Sequence, residues 1–396
     1  MQLMDRSKAL SITPFLRLGF RPFFFFGVLL AMLAIPLWIM ALTGHIESWQ
    51  PVGGWLAWHR HELLFGFAGA IVAGFLLTAV QTWTGVPGLS GKLLLGLTVV
   101  WLLARFSWLL GLPLGWVILF NGLFMPLVAL QMARSVWPVR QVRNYPLVVV
   151  LVVLSLLEFL VLYGVARGDD ALQRQGVLGG VWAVGALMSI IGGRVIPFFT
   201  QRGLLRMQQV APVSWLEQAL QLGTAVIILS FAAGWALEPN AFLGLIFIAM
   251  GVGHGVRAGR WHDPGLWKVP LLWSLHVAYL WFVIAFLAMG LWYLEWIGSL
   301  SLAVHALTVG GMSGLILAMI ARVTLGHTGR MLNPPKAMVA GFVIFNVGAL
   351  FRVFGVGVAY TSFLWLAALC WVVSLLIYLV TYGPMLWRAR VDGAPG

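Results

Sequence analysis

Long apolar stretches of about 20 residues, separated by short polar connections, run from Phe20 to Trp387. An apolar helix of that length crosses the hydrocarbon core of a bilayer. The pattern therefore predicts an all-α membrane protein with twelve transmembrane helices and a single transmembrane domain over residues 1–396. The predicted spans are 20–43, 59–81, 91–111, 113–134, 145–165, 175–198, 213–235, 239–258, 268–290, 298–322, 334–354 and 359–386.

The charges of the connections predict the orientation of the chain. Lys and Arg concentrate in the even-numbered connections, whereas the odd-numbered ones carry acids such as Glu47, Asp169 and Glu295. Because short basic loops stay in the cytoplasm, both termini are expected on the cytoplasmic side. We therefore expect a multi-pass protein of the bacterial cytoplasmic (inner) membrane.

The amino-acid composition limits both the class of protein and the kind of metal site that the chain can form. The chain is 61% hydrophobic and 9% charged, which excludes a water-soluble fold and makes the lipid bilayer its main surroundings. Its net charge of +13 follows from the basic loops, and nucleic-acid binding is not indicated. A single cysteine, Cys370, excludes an intrachain disulfide and a four-thiolate metal site, so any bound metal needs imidazole ligands.

An internal repeat relates three parts of the chain. The segments "RVIPFFTQR" (194–202) and "RVTLGHTGR" (322–330) share the pattern R-V-x-x-x-x-T-x-R, and "QTWTG" near Thr84 aligns with them more weakly. The register predicts three four-helix sets in a pseudo-threefold arrangement, at about residues 15–135, 140–260 and 265–390. In this register His61 and His305 are equivalent, because each lies 23 residues before its threonine.

An arginine accompanies each of these two histidines. Arg105 and Arg352 occupy similar settings near the outer ends of the third and eleventh spans, and the middle set has neither the histidine nor the arginine. Two imidazoles at one depth could bind haem b from both sides, with Arg105 and Arg352 pairing with its propionates. The alternatives are hydrogen-bonded histidines without metal and arginines that snorkel to the interface.

Other polar residues near the spans are weaker candidates. His59 and His61 point about 200° apart on a regular helix, so His59 could instead join His276, and His45, in a copper site. Glu62 could deliver protons or support a metal ligand, or it could be an ordinary acid in a first helical turn.

Four further predictions concern groups along the spans. Arg194 and Arg322 could face an anion or a wet cavity, or snorkel to the inner surface. His254 is expected to be solvated, and the run Phe23–Phe26 is expected to anchor in lipid. Glu158 is a lone acid in the fifth span whose partner the sequence does not identify.

Five segments resemble the NnrS family. They are "LGFRPFFFFG" (18–27), "WHRHELLFGF" (58–67), "GGRVIPFFTQRG" (192–203), "LLWSLHVAYLW" (271–281) and "HALTVGGMSGLILAMIARVTLGHTGR" (305–330). The resemblance implies a twelve-span bacterial membrane protein with haem b and copper that belongs to the response to nitric oxide, in denitrification or nitrosative stress. The resemblance also implies metal binding by the histidines in these motifs, but it does not say which histidine binds which metal. The motif histidines are His59, His61, His276, His305 and His327.

A more distant, architectural likeness points to the same pair of helices. Catalytic subunits of haem-copper oxidases and nitric oxide reductases also have twelve spans, and their low-spin haem lies between histidines on spans two and ten. Their copper ligands lie on spans six and seven, whereas this sequence has no histidine between residues 62 and 254. A binuclear centre of that kind is therefore not expected here.

The leading hypothesis is a haem b and copper protein that handles nitric oxide or iron–nitrosyl species by binding, electron transfer or reduction, with an unspecified electron donor. Whether it is an enzyme is left open. One alternative is a metal-free transporter of a small anion along a path lined by Arg194 and Arg322. A third hypothesis is a nitric oxide sensor that signals through its inner loops.

Overall fold

A computed structural model describes residues 6–395, and every regular element among them is helical. A short helix, Arg6–Ser11, comes before the spans. Within residues 6–395, twelve helices are long and apolar enough to cross a membrane. They are α1 (Phe20–Leu42), α2 (Trp55–Thr84), α3 (Gly91–Leu109), α4 (Leu114–Val136), α5 (Val142–Arg167), α6 (Asp170–Gly203), α7 (Ser214–Ala232), α8 (Ala241–Trp261), α9 (Pro270–Tyr293), α10 (Leu300–His327), α11 (Lys336–Gly357) and α12 (Tyr360–Trp387).

The twelve predicted spans are confirmed, and the differences lie at their ends. α2 begins at Trp55 and α6 begins at Asp170, each several residues before the predicted span. The extension of α6, residues 170–174, carries polar residues that hydropathy assigns to a loop. Asp170 in this extension forms an ion pair of 2.5 Å with Arg60 of α2.

The chain divides into two compact units. Unit 1 contains residues 6–180, 323–332 and 375–395, and unit 2 contains residues 181–322 and 333–374. The core of unit 1 includes a cluster around Trp55, Trp58 and Trp108. Aromatic side chains also fill unit 2, where Phe286 packs between Trp182 and Phe282. The three four-helix sets and the cytoplasmic termini remain predictions, and the chain ends at residues 1–5 and 396 lie outside the described residues.

Two helices widen into π-helix directly after the histidines that the repeat makes equivalent. In α2 the α-helical part ends at His61 and a π-helix covers Glu62–Ala68. In α10 the α-helical part ends at His305 and a π-helix covers Ala306–Ser313. π-Helical turns are rare and occur frequently at functional sites. The equivalence of the two histidines therefore extends to their local backbone.

The prediction that Phe23–Phe26 anchor in lipid is wrong for the first two residues. Phe23 and Phe24 are fully buried in unit 1, and Gly74 of α2 lies against the Cβ atom of Phe23 and the ring of Phe24. Because Gly74 has no side chain, α1 approaches α2 closely at this position. Hydrophobicity alone does not separate a lipid-facing ring from one that faces another helix.

Helix packing near Glu158 depends on the absence of a side chain at Gly176. A Cβ atom there would lie 2.6 Å from the Leu157 carbonyl oxygen and 2.9 Å from the Val161 amide nitrogen. These are backbone atoms, so neither can move aside without shifting α5.

We expect Gly176→Ala to destabilise the protein by about 1–3 kcal/mol, because the added methyl group forces α5 and α6 apart. Thermal unfolding in detergent, followed by tryptophan fluorescence, measures the effect. The matched control is Gly96→Ala on α3, where nothing lies within 4 Å of the added atom. Equal melting temperatures for the two variants would contradict the packing described here.

Candidate functional site

A buried imidazole lies between two carboxylates in unit 1. His61, Glu62 and Glu158 are almost completely buried, with exposures of 0%, 0% and 2%. His61 Nδ1 lies 3.1 Å from Glu62 Oε1, and His61 Nε2 lies 3.2 Å from Glu158 Oε1. The imidazole ring packs against Phe65 and Trp108. Both nitrogen atoms of His61 therefore face an acidic oxygen within an apolar enclosure.

Arg105 and Asn121 complete this group, which we call the His61 cluster (His61, Glu62, Arg105, Asn121 and Glu158). Arg105 Nε lies 3.2 Å from Glu62 Oε2, and Arg105 Nη2 donates to Asn121 Oδ1 at 2.5 Å. The same Asn121 oxygen accepts from the indole of Trp108 at 3.1 Å, and the Asn121 amide group donates to the Val117 carbonyl. Neighbouring helices thus hold Arg105 in one orientation.

The burial and contacts of Glu62 and Arg105 bear on the alternative roles that the sequence suggested for each residue. Arg105 is only 5% exposed and contacts an acid, so it does not snorkel to the membrane interface. Glu62 begins the π-helix and pairs with both Arg105 and His61, so it is more than an acid in a first turn. The two carboxylates lie against the Arg105 guanidinium and the two ring nitrogens of His61. Removing one member leaves its partner charged and buried.

The matching histidine of unit 2 has a different environment. His305 Nδ1 lies 2.8 Å from the Ser301 carbonyl oxygen, and its Nε2 lies 2.9 Å from Arg352 Nη2. Because arginine only donates, Nε2 must be the accepting nitrogen and Nδ1 must carry the proton. In unit 1 the predicted arginine, Arg105, contacts Glu62, the carboxylate partner of His61. In unit 2 the predicted arginine, Arg352, contacts His305 itself.

These environments differ in how well they fit haem. An axial histidine usually donates its Nδ1 proton to a carbonyl or carboxylate and binds iron through Nε2. His305 fits on the Nδ1 side, where it donates to the Ser301 carbonyl oxygen, but Arg352 donates to its Nε2 and would have to turn away. His61 fits on the Nδ1 side, where Glu62 orients it, but Glu158 lies against its Nε2 and would have to turn away. Arg105 Nη1, which is buried without a hydrogen-bond partner, suits a propionate oxygen.

The candidate copper histidines have separate partners. His59 stacks on Trp38 with ring centres 4.6 Å apart in unit 1. In unit 2, His276 Nε2 donates to the Thr200 hydroxyl at 3.0 Å, because that hydroxyl gives its own proton to the Ile196 carbonyl. Among residues 6–395, no group of three His, Cys, Asp or Glu side chains is arranged to hold a metal ion.

The remaining predicted site residues have identifiable neighbours. Arg322 lies over the ring of Phe199 at 3.8 Å, and Arg194 is half-buried. His327 packs its ring against Phe20, and its carbonyl oxygen accepts from Arg390 at 3.1 Å. For His327, the contacts indicate a role in packing α10 against Phe20 and the segment that carries Arg390.

A second buried polar group was missed by the sequence reasoning. His254 is fully buried, so the expectation that it is solvated is wrong. Its Nδ1 lies 2.7 Å from the Tyr279 hydroxyl, which accepts from Arg257, and Arg257 also pairs with Glu217. The signal for its burial was present, because His254 falls inside the predicted span 239–258.

Twelve apolar helices around buried imidazole, carboxylate and guanidinium groups define a multi-pass membrane protein with polar sites inside its helical units. The sequence model of the NnrS protein family matches residues 14–390, nearly the whole chain. The protein therefore belongs to the NnrS family, which confirms the resemblance of its motifs. A comparison with curated proteins finds no match to this chain.

We expect Arg105→Ala to lower the free energy of unfolding by about 3–5 kcal/mol, since it leaves Glu62 charged and buried without its guanidinium. Arg60→Ala removes the exposed ion pair with Asp170 in the same unit and should cost about 1 kcal/mol or less. Thermal unfolding of both variants in detergent tests the difference. A loss for Arg105→Ala no larger than that for Arg60→Ala would show that the His61 cluster does not stabilise unit 1.

Proposed function

We propose that this NnrS family protein binds haem b and copper and handles nitric oxide, or the iron–nitrosyl species formed from it, in the nitric oxide response. The family match over residues 14–390 carries the proposal. The hydrogen bond from His305 Nδ1 to the Ser301 carbonyl oxygen supports it, because this tautomer leaves Nε2 as the nitrogen that could bind iron once Arg352 turns away from it.

In this proposal His305 and His61 are the axial ligands of the haem, and Arg105 and Arg352 hold its propionates. Haem b would supply an iron centre that binds nitric oxide and changes oxidation state. Glu62 orients the His61 ring through Nδ1, and the Arg105 Nη1 donor faces no competing acceptor. Glu158, which lies 3.2 Å from His61 Nε2, would have to turn away for that nitrogen to hold the haem.

Copper is proposed at His59 and His276. The Nδ1 lone pair of His276 stays available when Nε2 donates to Thr200, as nitrogen ligation of copper requires. Arg194 and Arg322 are assigned supporting roles near the repeated threonines.

The proposed location is the inner membrane of a bacterium that meets nitric oxide during denitrification or nitrosative stress. Both termini would face the cytoplasm, with the three four-helix sets in a pseudo-threefold arrangement. The basic even-numbered connections support this orientation. An electron donor, of a kind that the sequence does not specify, would reduce the iron.

The anion-transport alternative has no specific contact in its favour. Arg322, one of its two path residues, already has an aromatic partner in Phe199. Cation–π contacts of this kind stabilise a buried guanidinium without an anion.

We predict that the purified protein has the visible absorption of haem b, and that His305→Ala and His61→Ala each lose most of the bound haem. The loss follows because each variant removes one nitrogen ligand. Absorption spectra and iron assays on detergent-purified protein make the measurement. The control is His262→Ala, which changes an exposed histidine outside the spans.

The outcomes separate the hypotheses. Haem that is retained in His61→Ala but lost in His305→Ala would remove His61 from the ligand pair and leave the haem assignment standing. A colourless wild-type protein without iron would contradict the whole proposal.

A further inference from the structure

The polar end of unit 1 is held together by arginines of three different segments. We call this group the arginine clasp: Arg17, Arg21, Arg330 and Arg390, with the chain segment 388–395. Arg21 Nη1 donates to the carbonyl oxygens of Leu386 and Arg388 at 2.8 and 2.7 Å, at the end of α12. Two motifs of the family resemblance, "LGFRPFFFFG" and "GHTGR", supply Arg21 and Arg330.

The other donors of the clasp hold neighbouring backbone. Arg390 donates to the His327 carbonyl oxygen, and Arg17 donates to the Pro395 carbonyl oxygen at 3.2 Å. Gly329 makes the close approach of the two segments possible. It has a positive φ of 76°, and a Cβ atom on it would lie 2.9 Å from the Asp392 side chain. The residue 388–395 segment is thus fixed against the turn at residues 327–330.

One edge of Arg21 is not used by these bonds. Arg21 is fully buried, and its Nε and Nη2 atoms have no hydrogen-bond partner among the described residues. Elsewhere in this protein the same edge binds an oxyanion. Arg390 Nε and Nη2 hold the two oxygens of Asp392 at 2.9 and 2.5 Å, and Arg206 Nε and Nη2 hold Asp263 at 2.9 and 3.0 Å.

The positive charge of the arginine clasp also favours the binding of an anion. Among residues 6–395, Arg17, Arg330 and Arg390 act on Arg21 electrostatically, and the one acid in the clasp, Asp392, pairs with Arg390. The ring centre of Phe20 lies 5.4 Å from the Arg21 guanidinium carbon and lowers the cost of its burial, but it supplies no acceptor for Nε and Nη2.

We propose that the arginine clasp binds a phosphate group through the Nε–Nη2 edge of Arg21, with Arg330 adding charge. Phosphate oxygens match the planar fork of arginine, and several arginines together favour a phosphate over a single-charge carboxylate. The phosphate of an anionic lipid headgroup and free inorganic phosphate present this same chemistry. Because Arg21 has no exposed surface, the segment 388–395 must shift to admit either.

The experiment measures retention of phosphatidylglycerol against phosphatidylcholine by native mass spectrometry of the intact detergent-purified protein. Wild type should retain phosphatidylglycerol preferentially. Arg21→Lys should reduce the preference on the order of tenfold, because lysine keeps the charge but lacks the two-donor edge. Arg330→Gln, which leaves the Arg21 bonds to α12 intact, should reduce it too.

The control Arg206→Gln, in an exposed ion pair of unit 2, should leave the preference unchanged. Inorganic phosphate added to lipid-depleted protein distinguishes the sources. A raised melting temperature in wild type that is absent in Arg21→Lys would assign the site to free phosphate, whereas selective phosphatidylglycerol retention without that rise would assign it to lipid. Equal retention of both lipids in wild type, with no effect of phosphate, would overturn the proposal.

Discussion

The structure of unit 1 depends on the pairing of charges inside apolar helices. A carboxylate or guanidinium that is removed from water is stable only when another group of opposite charge or a hydrogen-bond partner meets it. His61, Glu62, Glu158 and Arg105 satisfy this requirement for one another. The pairing fixes the packing of α2, α3 and α5 against one another, since the loss of any one contact would leave a charged group buried without a partner. The close approach of Gly176 to α5, next to Glu158, is part of the same constraint.

The repeat gives two histidines with the same local backbone and opposite electrostatic surroundings. Each ends an α-helical stretch and is followed by a π-helix. His61 lies between two acids, whereas His305 lies between a backbone carbonyl oxygen and a guanidinium. The arginine at each position acts differently too, because Arg105 neutralises Glu62 and Arg352 donates directly to the imidazole.

Most of the fold could be predicted because hydropathy depends only on the local sequence. The spans follow from it, and the repeat register associates an arginine with each of His61 and His305. The direct contact of Arg352 with His305 was not predicted, because the sequence assigned Arg352 to the haem propionates. The partner of Glu158 could not be predicted, because its contact joins α5 to α2 across 97 residues of sequence. Burial of Phe23 and Phe24 was missed for the related reason that an apolar helix gives no sign of which face meets protein, whereas His254 was assigned to a basic loop although it falls inside a predicted span. The unpartnered edge of Arg21 is likewise visible only once the carbonyl oxygens of α12 are in place.

The proposed haem site would hold iron between two imidazoles. Electron paramagnetic resonance of the oxidised, detergent-purified protein at low temperature tests this most directly, because it reports the spin state and axial ligands of ferric haem. The predicted result is a low-spin ferric signal typical of bis-histidine coordination. A high-spin signal as the only haem species, or no ferric haem signal from iron-free protein, would contradict it.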